Sequence, residues 1–230
     1  MNKNDKEFYF GIKSSIVSEG VFERFPLQIP AVGKHYWRED GCHCKMLLVG
    51  ESNYFRGVSE EESVFNNSEL WYKGKDVPLI PSRKEKVVKN WKGYRTFTKV
   101  YNITDRVLGE NGIYSLGGQQ EFAFYNYYLR PAGGSRKFVP DTLDKVVAGE
   151  ALTEIISMNK PEPKLITLEP NLVIFLSKKA YDDFHWYQDY NQIPFDSDRI
   201  MFTCHPAAWH HWNTYGAKTF EDLIRKHWIK

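Results

Sequence analysis

Apolar residues in this chain gather into four short runs, separated by longer stretches with helical spacing. The first run, residues 46–49 behind Lys45, predicts a buried strand. Gly50 then turns the chain, and Glu51, Ser52, Asn53 and Tyr54 put polar groups where that strand ends. Residues 122–129 form the second strand, closed by Arg130-Pro131 and a Gly133-Gly134 turn. Residues 166–170 lead into the third, 172–176, and residues 200–203 form the fourth, which runs into Cys204-His205-Pro206.

The intervening stretches change period. Val87, Val88, Trp91, Tyr94, Phe97, Val100, Tyr101 and Ile103 recur at spacings near three and four, which predicts a helix within 82–108. Ser82 and Glu85 fit a capping box at its start. Residues 142–159, 177–187 and 219–228 read as further helices, and the polar stretch 56–80 as a long loop with a helical turn or two. Segments 8–16 and 21–25 each suit a short helix or an arm, before Pro26 and Pro30 break the pattern.

Strands alternating with helices imply an α/β fold: three layers, α/β/α, around a mostly parallel central sheet of about four strands. Residues 45–230 make that domain, and residues 1–44 are expected as an N-terminal extension packed on it. Parallel strands bring their carboxyl ends to one edge, and open α/β sheets bind ligands there. Gly50–Tyr54, Asn126–Pro131, Ser177 and Cys204–Trp212, which includes His205 and Trp209, all follow strands, so they are expected to emerge on that edge.

Composition narrows the classes. At 230 residues, one domain with a sizeable core is the default. Net charge is +2, from 31 basic and 29 acidic residues, which is not the footprint of a protein that coats nucleic acid. A local basic groove stays open: Lys84, Lys86, Lys89, Lys92 and Arg95 form a basic face or simply a solvated one. Aromatic residues at 16% serve a ring-rich core, or a surface that stacks on rings. No apolar run reaches transmembrane length and the first residues lack a signal-peptide core, so the expectation is a cytoplasmic protein without a membrane partner, monomeric by default. Three cysteines suggest reduced thiols. Cys42-His43-Cys44 invites a zinc reading, but one spacer residue and no second ligand pair favour a buried pair of thiols. No metal or cofactor is expected.

Four segments together resemble the uracil-DNA glycosylase superfamily: VGESNYF, FYNYYLRP, NLVIFLSKKAYDDF and MFTCHPAAWHHWNTYGAKTFEDLI. They stand in that family's order and span residues 46–228. The resemblance implies the family's fold, DNA as partner, and removal of a damaged or deaminated, uracil-type base by hydrolysis of its N-glycosidic bond. VGESNYF is similar to the water-activating motif. Glu51 matches the Glu of the thermophile-type branch's Gly-Glu-Ala-Pro-Gly, and Ser52 holds the place of an Asp or Asn in other branches. Asn53 replaces the family's Pro, Tyr54 matches the Tyr that screens a base's 5-position, and Asn126 matches the Asn presented to a pyrimidine. His205-Pro206-Ala207 is similar to His-Pro-Ser, with Ala207 in place of Ser. The thermophile-type branch carries four cysteines for an iron–sulfur cluster; this chain has three, so none is implied.

The residue chemistry agrees with that implication. His205 can donate a hydrogen bond to a carbonyl as charge develops on a departing base. Glu51 can orient or deprotonate water. Asn126 offers paired donor and acceptor, Phe55 can stack on the base, and Trp209 can fill the gap that a flipped base leaves. Each residue also has a plain reading. Glu51 can cap the turn after its strand, His205 can make a buried structural hydrogen bond, Asn126 can satisfy neighbouring backbone, and Tyr54 and Phe55 can be packing residues. Trp209, His210, His211 and Trp212 can form a core-and-rim cluster. Two other functions stay open. Gly50-Glu51-Ser52-Asn53-Tyr54 is a near miss to a nucleophile elbow, with Ser52, Asp183 and His205 in serine-hydrolase order. A noncatalytic nucleic-acid or nucleobase binder would accommodate Ser52, Asn53 and Ala207 as they stand.

Overall fold

A strand with four consecutive buried residues needs cover on both faces, and Met46, Leu47, Leu48 and Val49 are all fully buried. The computed structural model describes residues 21–25, 28–38, 40–55, 66–73, 94–133, 138–156 and 168–230. One five-stranded sheet runs through them: β1 (Ala31–Val32), β2 (Met46–Phe55), β3 (Ala123–Gly133), β4 (Leu172–Phe175) and β5 (Ile200–Phe202), in the order β1-β3-β2-β4-β5. β3, β2, β4 and β5 are parallel; β1 pairs antiparallel with β3 at the edge. The fold is therefore α/β with a mostly parallel sheet. Its extra strand comes from the N-terminal segment, so part of that segment belongs to the sheet itself. A two-residue strand is too short to leave a periodicity in the sequence.

Among the described residues the sheet is accompanied by α1 (Val21–Arg24), α2 (Ser68–Lys73), α3 (Arg95–Glu110), α4 (Thr142–Ile156), α5 (Lys178–Tyr190) and α6 (Ala217–His227), with a short helical turn at Trp209–His211 that runs on through Trp212–Gly216. Crossovers between parallel strands are right-handed, so steps in opposite directions across the sheet need helices on opposite faces. The chain steps one way from β2 to β3 through α3. It steps back past β2 to β4 through α4, and on to β5 through α5. Accordingly Met46, Leu48, Phe124 and Ile174 pack with Val100 and Tyr101 of α3 and with Phe220 and Ile224 of α6. Leu47, Val49, Tyr125 and Phe175 pack with Leu152 and Ile155 of α4 and with Ala180 and Phe184 of α5 on the other face. No helix among the described residues is long and apolar enough to cross a membrane.

The largest correction concerns β2. It does not end at Gly50 but continues to Phe55, paired with β3 through Gly50↔Asn126, Ser52↔Tyr128 and, after a register shift, Tyr54↔Ala132. The polar residues expected in a loop are strand residues, because β3 also runs on beyond Leu129. β4 stops earlier; its last pairing with β2 is Val49↔Phe175. Past that point β2 has lost its neighbour β4, at the carboxyl ends of the parallel strands. The helix expected within 82–108 is α3, described from Arg95 and extending to Glu110; its expected start, with Ser82, Glu85 and the lysines at 84, 86, 89 and 92, lies outside the described residues. So do segments 8–16 and 56–65, and the stretch 157–167 in which α4 was expected to end. α5 runs on to Tyr190, because Asn191 Nδ2 donates to Tyr187 O at 2.8 Å and closes the last turn.

The amino-terminal edge of the parallel strands is held by a buried carboxylate. Glu121, just before β3, accepts from Ser115 Oγ at 2.7 Å and from Arg38 Nη1 at 3.2 Å, and pairs with His35 Nδ1 at 2.7 Å and His43 Nε2 at 3.0 Å. Of Cys42-His43-Cys44, therefore, His43 is the buried member, while both thiols are only half-buried. Burial pulls the Glu121 pKa upward, but the bonds from His43, Ser115 and His35 outweigh it and hold the carboxyl at about 2. A folded-state pKa below the unfolded one contributes stability above the unfolded value, and that contribution is lost as pH falls towards the folded value. Chemical denaturation at a series of pH values should therefore show stability declining between about 4.5 and about 2. Glu121→Gln should be less stable at neutral pH and flatter across that window; an unchanged slope would disprove the assignment.

Candidate functional site

The strand order reverses between the carboxyl ends of β2 and β4, the switch point at which open α/β sheets place ligands. Glu51 lies in β2 just past its last pair with β4. Its Oε2 accepts from Ser177 Oγ at 2.8 Å, and Lys179 Nζ stands 3.8 Å from Oε1. Ser177 is also the N-cap of α5, its Oγ accepting from Ala180 N. One hydroxyl thus starts the helix and orients the carboxylate. The positive end of the α5 dipole favours negative charge there. Lys178 and Lys179 in the first turn oppose that dipole, and each has a carboxylate to compensate, Asp182 for Lys178 and Glu51 for Lys179.

Lys179 is fixed from behind. It donates to Phe138 O at 2.6 Å and lies 5.2 and 5.6 Å from the ring centres of Phe138 and Tyr128. The Tyr128 hydroxyl donates to Asp183, whose other oxygen is 2.7 Å from Lys145 Nζ. Burial first, and the bond to Asp183 second, raise the Tyr128 pKa far above its ordinary value, so this ring remains a neutral donor.

A second hydrogen-bonded line crosses the sheet edge. Asn126 Nδ2 donates to Asn53 Oδ1 at 2.9 Å, and Asn53 Nδ2 donates to Gln28 Oε1 at 3.3 Å. The N-terminal segment therefore supports the site. Asn126 keeps Oδ1 and one N–H for other partners. Its Oδ1 also explains Gly50: a Cβ at that position would lie 2.5 Å from it and 2.9 Å from Phe124 Cζ. Only glycine lets the Asn126 amide lie across β2.

His205 follows β5. Burial pulls its pKa down, Glu51 pulls it up and Lys99 pulls it down again; the net shift is downward, so the ring is neutral at neutral pH. The Ala207 N–H donates to His205 Nδ1 at 3.1 Å, which leaves the ring proton on Nε2. The loop is tied to α3 by Lys99 Nζ, which donates to Pro206 O at 2.8 Å. Beyond it Trp209 is 66% exposed and, with Arg95, Thr98 and Lys99, lines a cleft of about 450 Å³. Trp212 is buried, so only that half of the Trp209–Trp212 cluster is core.

Of the residues expected at the site, Glu51, Ser177 and His205 share one electrostatic neighbourhood, and Asn53 and Asn126 share another on the same strand pair. Ser52 is buried, and its Oγ has no hydrogen-bond partner among the described residues. Ser52, Asp183 and His205 do not form a relay: Asp183 is taken by Tyr128 and Lys145, and His205 Nδ1 already accepts a backbone N–H. Tyr54 and Phe55 continue the strand, and their side chains lie outside the described residues. Lys179, Lys99, Tyr128 and Gln28 were not expected. A usable signal existed for Lys179 alone: two cations opening a helix need an acidic neighbour. Among the described residues no group of three or more His, Cys, Asp or Glu side chains is arranged to hold a metal ion.

The chain was compared with protein-family models, curated proteins and solved structures, and nothing matches.

Proposed function

We propose that the protein hydrolyses the N-glycosidic bond of a damaged or deaminated, uracil-type base in DNA. The observation that carries this is an oriented carboxylate at the strand-order switch point with a neutral histidine, after β5, within its electrostatic reach. Loss of a base leaves negative charge on its carbonyl oxygen and a sugar that must take up water. His205, with its proton on Nε2, donates to that oxygen as charge develops. Glu51, held by Ser177 and Lys179, orients the water and accepts its proton. The remaining Asn126 groups suit a pyrimidine edge, which presents donor and acceptor side by side. The base reaches such a site only when taken out of the stack. The segment resemblance to the uracil-DNA glycosylase superfamily supports the same reading from the sequence side.

A second reading has one observation in its favour. Both Glu51 oxygens already face protein groups, Ser177 and Lys179, as they would in a pocket that binds without activating water. A panel of labelled oligonucleotides carrying uracil, hypoxanthine, xanthine or modified pyrimidines separates the two. Alkali-labile strand breaks at one lesion are expected. Retention of that lesion strand without breaks would favour the noncatalytic binder.

A further inference from the structure

The cleft beside the His205 loop carries chemistry that base removal does not use. Arg95 and Lys99 stand one turn apart on α3 and share a face. Trp209 begins the short helical turn opposite them, two-thirds exposed. Among the described residues Arg95 has no hydrogen-bond or ion-pair partner and the Trp209 indole no ring partner. Lys99 commits one of its three N–H donors to Pro206 O and keeps two. A bare indole facing two cations that have no carboxylate partner among the described residues suits a ligand that has both a flat ring and an anion.

We infer that this cleft grips a single-stranded DNA segment, with one base stacked on Trp209 and the flanking phosphates on Arg95 and Lys99. Aromatic side chains with adjacent cations bind unpaired strands in this way, without regard to sequence. A base inside a duplex is already stacked on both faces and has none to offer the indole. An acidic peptide would satisfy the cations and leave the indole in water. The inference rests on the proposed function only in placing the cleft next to the reacting base; gripping a strand that holds no lesion requires no chemistry.

Fluorescence anisotropy tests it with the full chain and a lesion-free labelled oligothymidylate of about 15 nucleotides, alone and annealed to its complement. The single strand should bind more tightly than the duplex. Trp209→Ala should weaken single-strand binding roughly 5- to 150-fold, as loss of one base–aromatic stack implies, while Trp209→Phe retains most of it. Arg95→Ala should reduce the slope of log K against log salt by about 0.7, one phosphate contact on a single strand. Both side chains are exposed, so unaltered thermal melting is the folding control. Trp209→Ala binding like the wild type, or a duplex preference, would overturn the inference. Trp209-dependent binding by a protein that releases no base would leave it standing and remove the enzymatic reading instead.

Discussion

Glu51→Gln is expected to slow base release by roughly 10²- to 10⁴-fold, the range for loss of a positioned general base. The glutamine keeps the size of the side chain and an oxygen for the Ser177 hydroxyl, so the loss reports on charge and basicity rather than on packing. His205→Ala should cost about 10²- to 10³-fold, as removal of a donor to a developing oxyanion does. The double variant should be little worse than the poorer single one, because the two groups act on one transition state. Single-turnover rates with excess enzyme isolate the chemical step. An unchanged rate in Glu51→Gln would reduce Glu51 to a partner of the α5 cap.

Asp144→Asn should destabilise the folded chain by about 3–5 kcal/mol, a large share of the ~5–15 kcal/mol available to a domain of this kind. Arg130 and Asp144 are 3% and 0% exposed, and two guanidinium nitrogens reach the carboxylate, Nε at 2.8 Å. The same carboxylate starts α4: Asp141 N donates to Asp144 Oδ2 and Asp144 N donates to Asp141 Oδ1, both at 3.0 Å. The pair therefore joins the end of β3 to the first turn of α4. Neutralising Asp144 removes the charge hydrogen-bonded to a buried guanidinium, and that electrostatic loss, more than the lost bond, sets the magnitude. Urea unfolding of the single variants and of Arg130→Met with Asp144→Leu provides the check. The apolar pair should sit closer to the wild type than Asp144→Asn does, and the reverse order would show that the cap matters more than the charge.

The sheet was legible because buried parallel strands write continuous apolar runs. Residues 46–49 and 172–175 could be placed by composition alone, and the alternation of periods gave the layer order. The continuation of β2 through Glu51, Ser52 and Asn53 was not legible. Polar residues after a glycine read as a loop, and only pairing with β3, more than 70 residues away in sequence, makes them a strand. Convergence of Glu51, Ser177 and His205 followed from parallel topology, since strand ends share an edge. Lys99 and Gln28 were hidden because their roles depend on which loop a neighbouring element meets. Gly50 carried a readable mark, yet its reason, the Asn126 amide lying across it, exists only in three dimensions. Arg130 was expected to close the second strand and instead lies within β3, and nothing local tells a buried ion-pair arginine from an exposed one.

We propose that Glu51, oriented at the carboxyl end of β2, and the neutral His205 after β5 together hydrolyse an N-glycosidic bond. The most direct test is mass spectrometry of lesion-bearing single strands incubated with the wild-type chain in heavy-oxygen water. The expected result is free base and abasic strand in equal amounts, with the heavy oxygen on the sugar carbon that held the base. Recovery of the uracil, hypoxanthine and xanthine strands intact would contradict it.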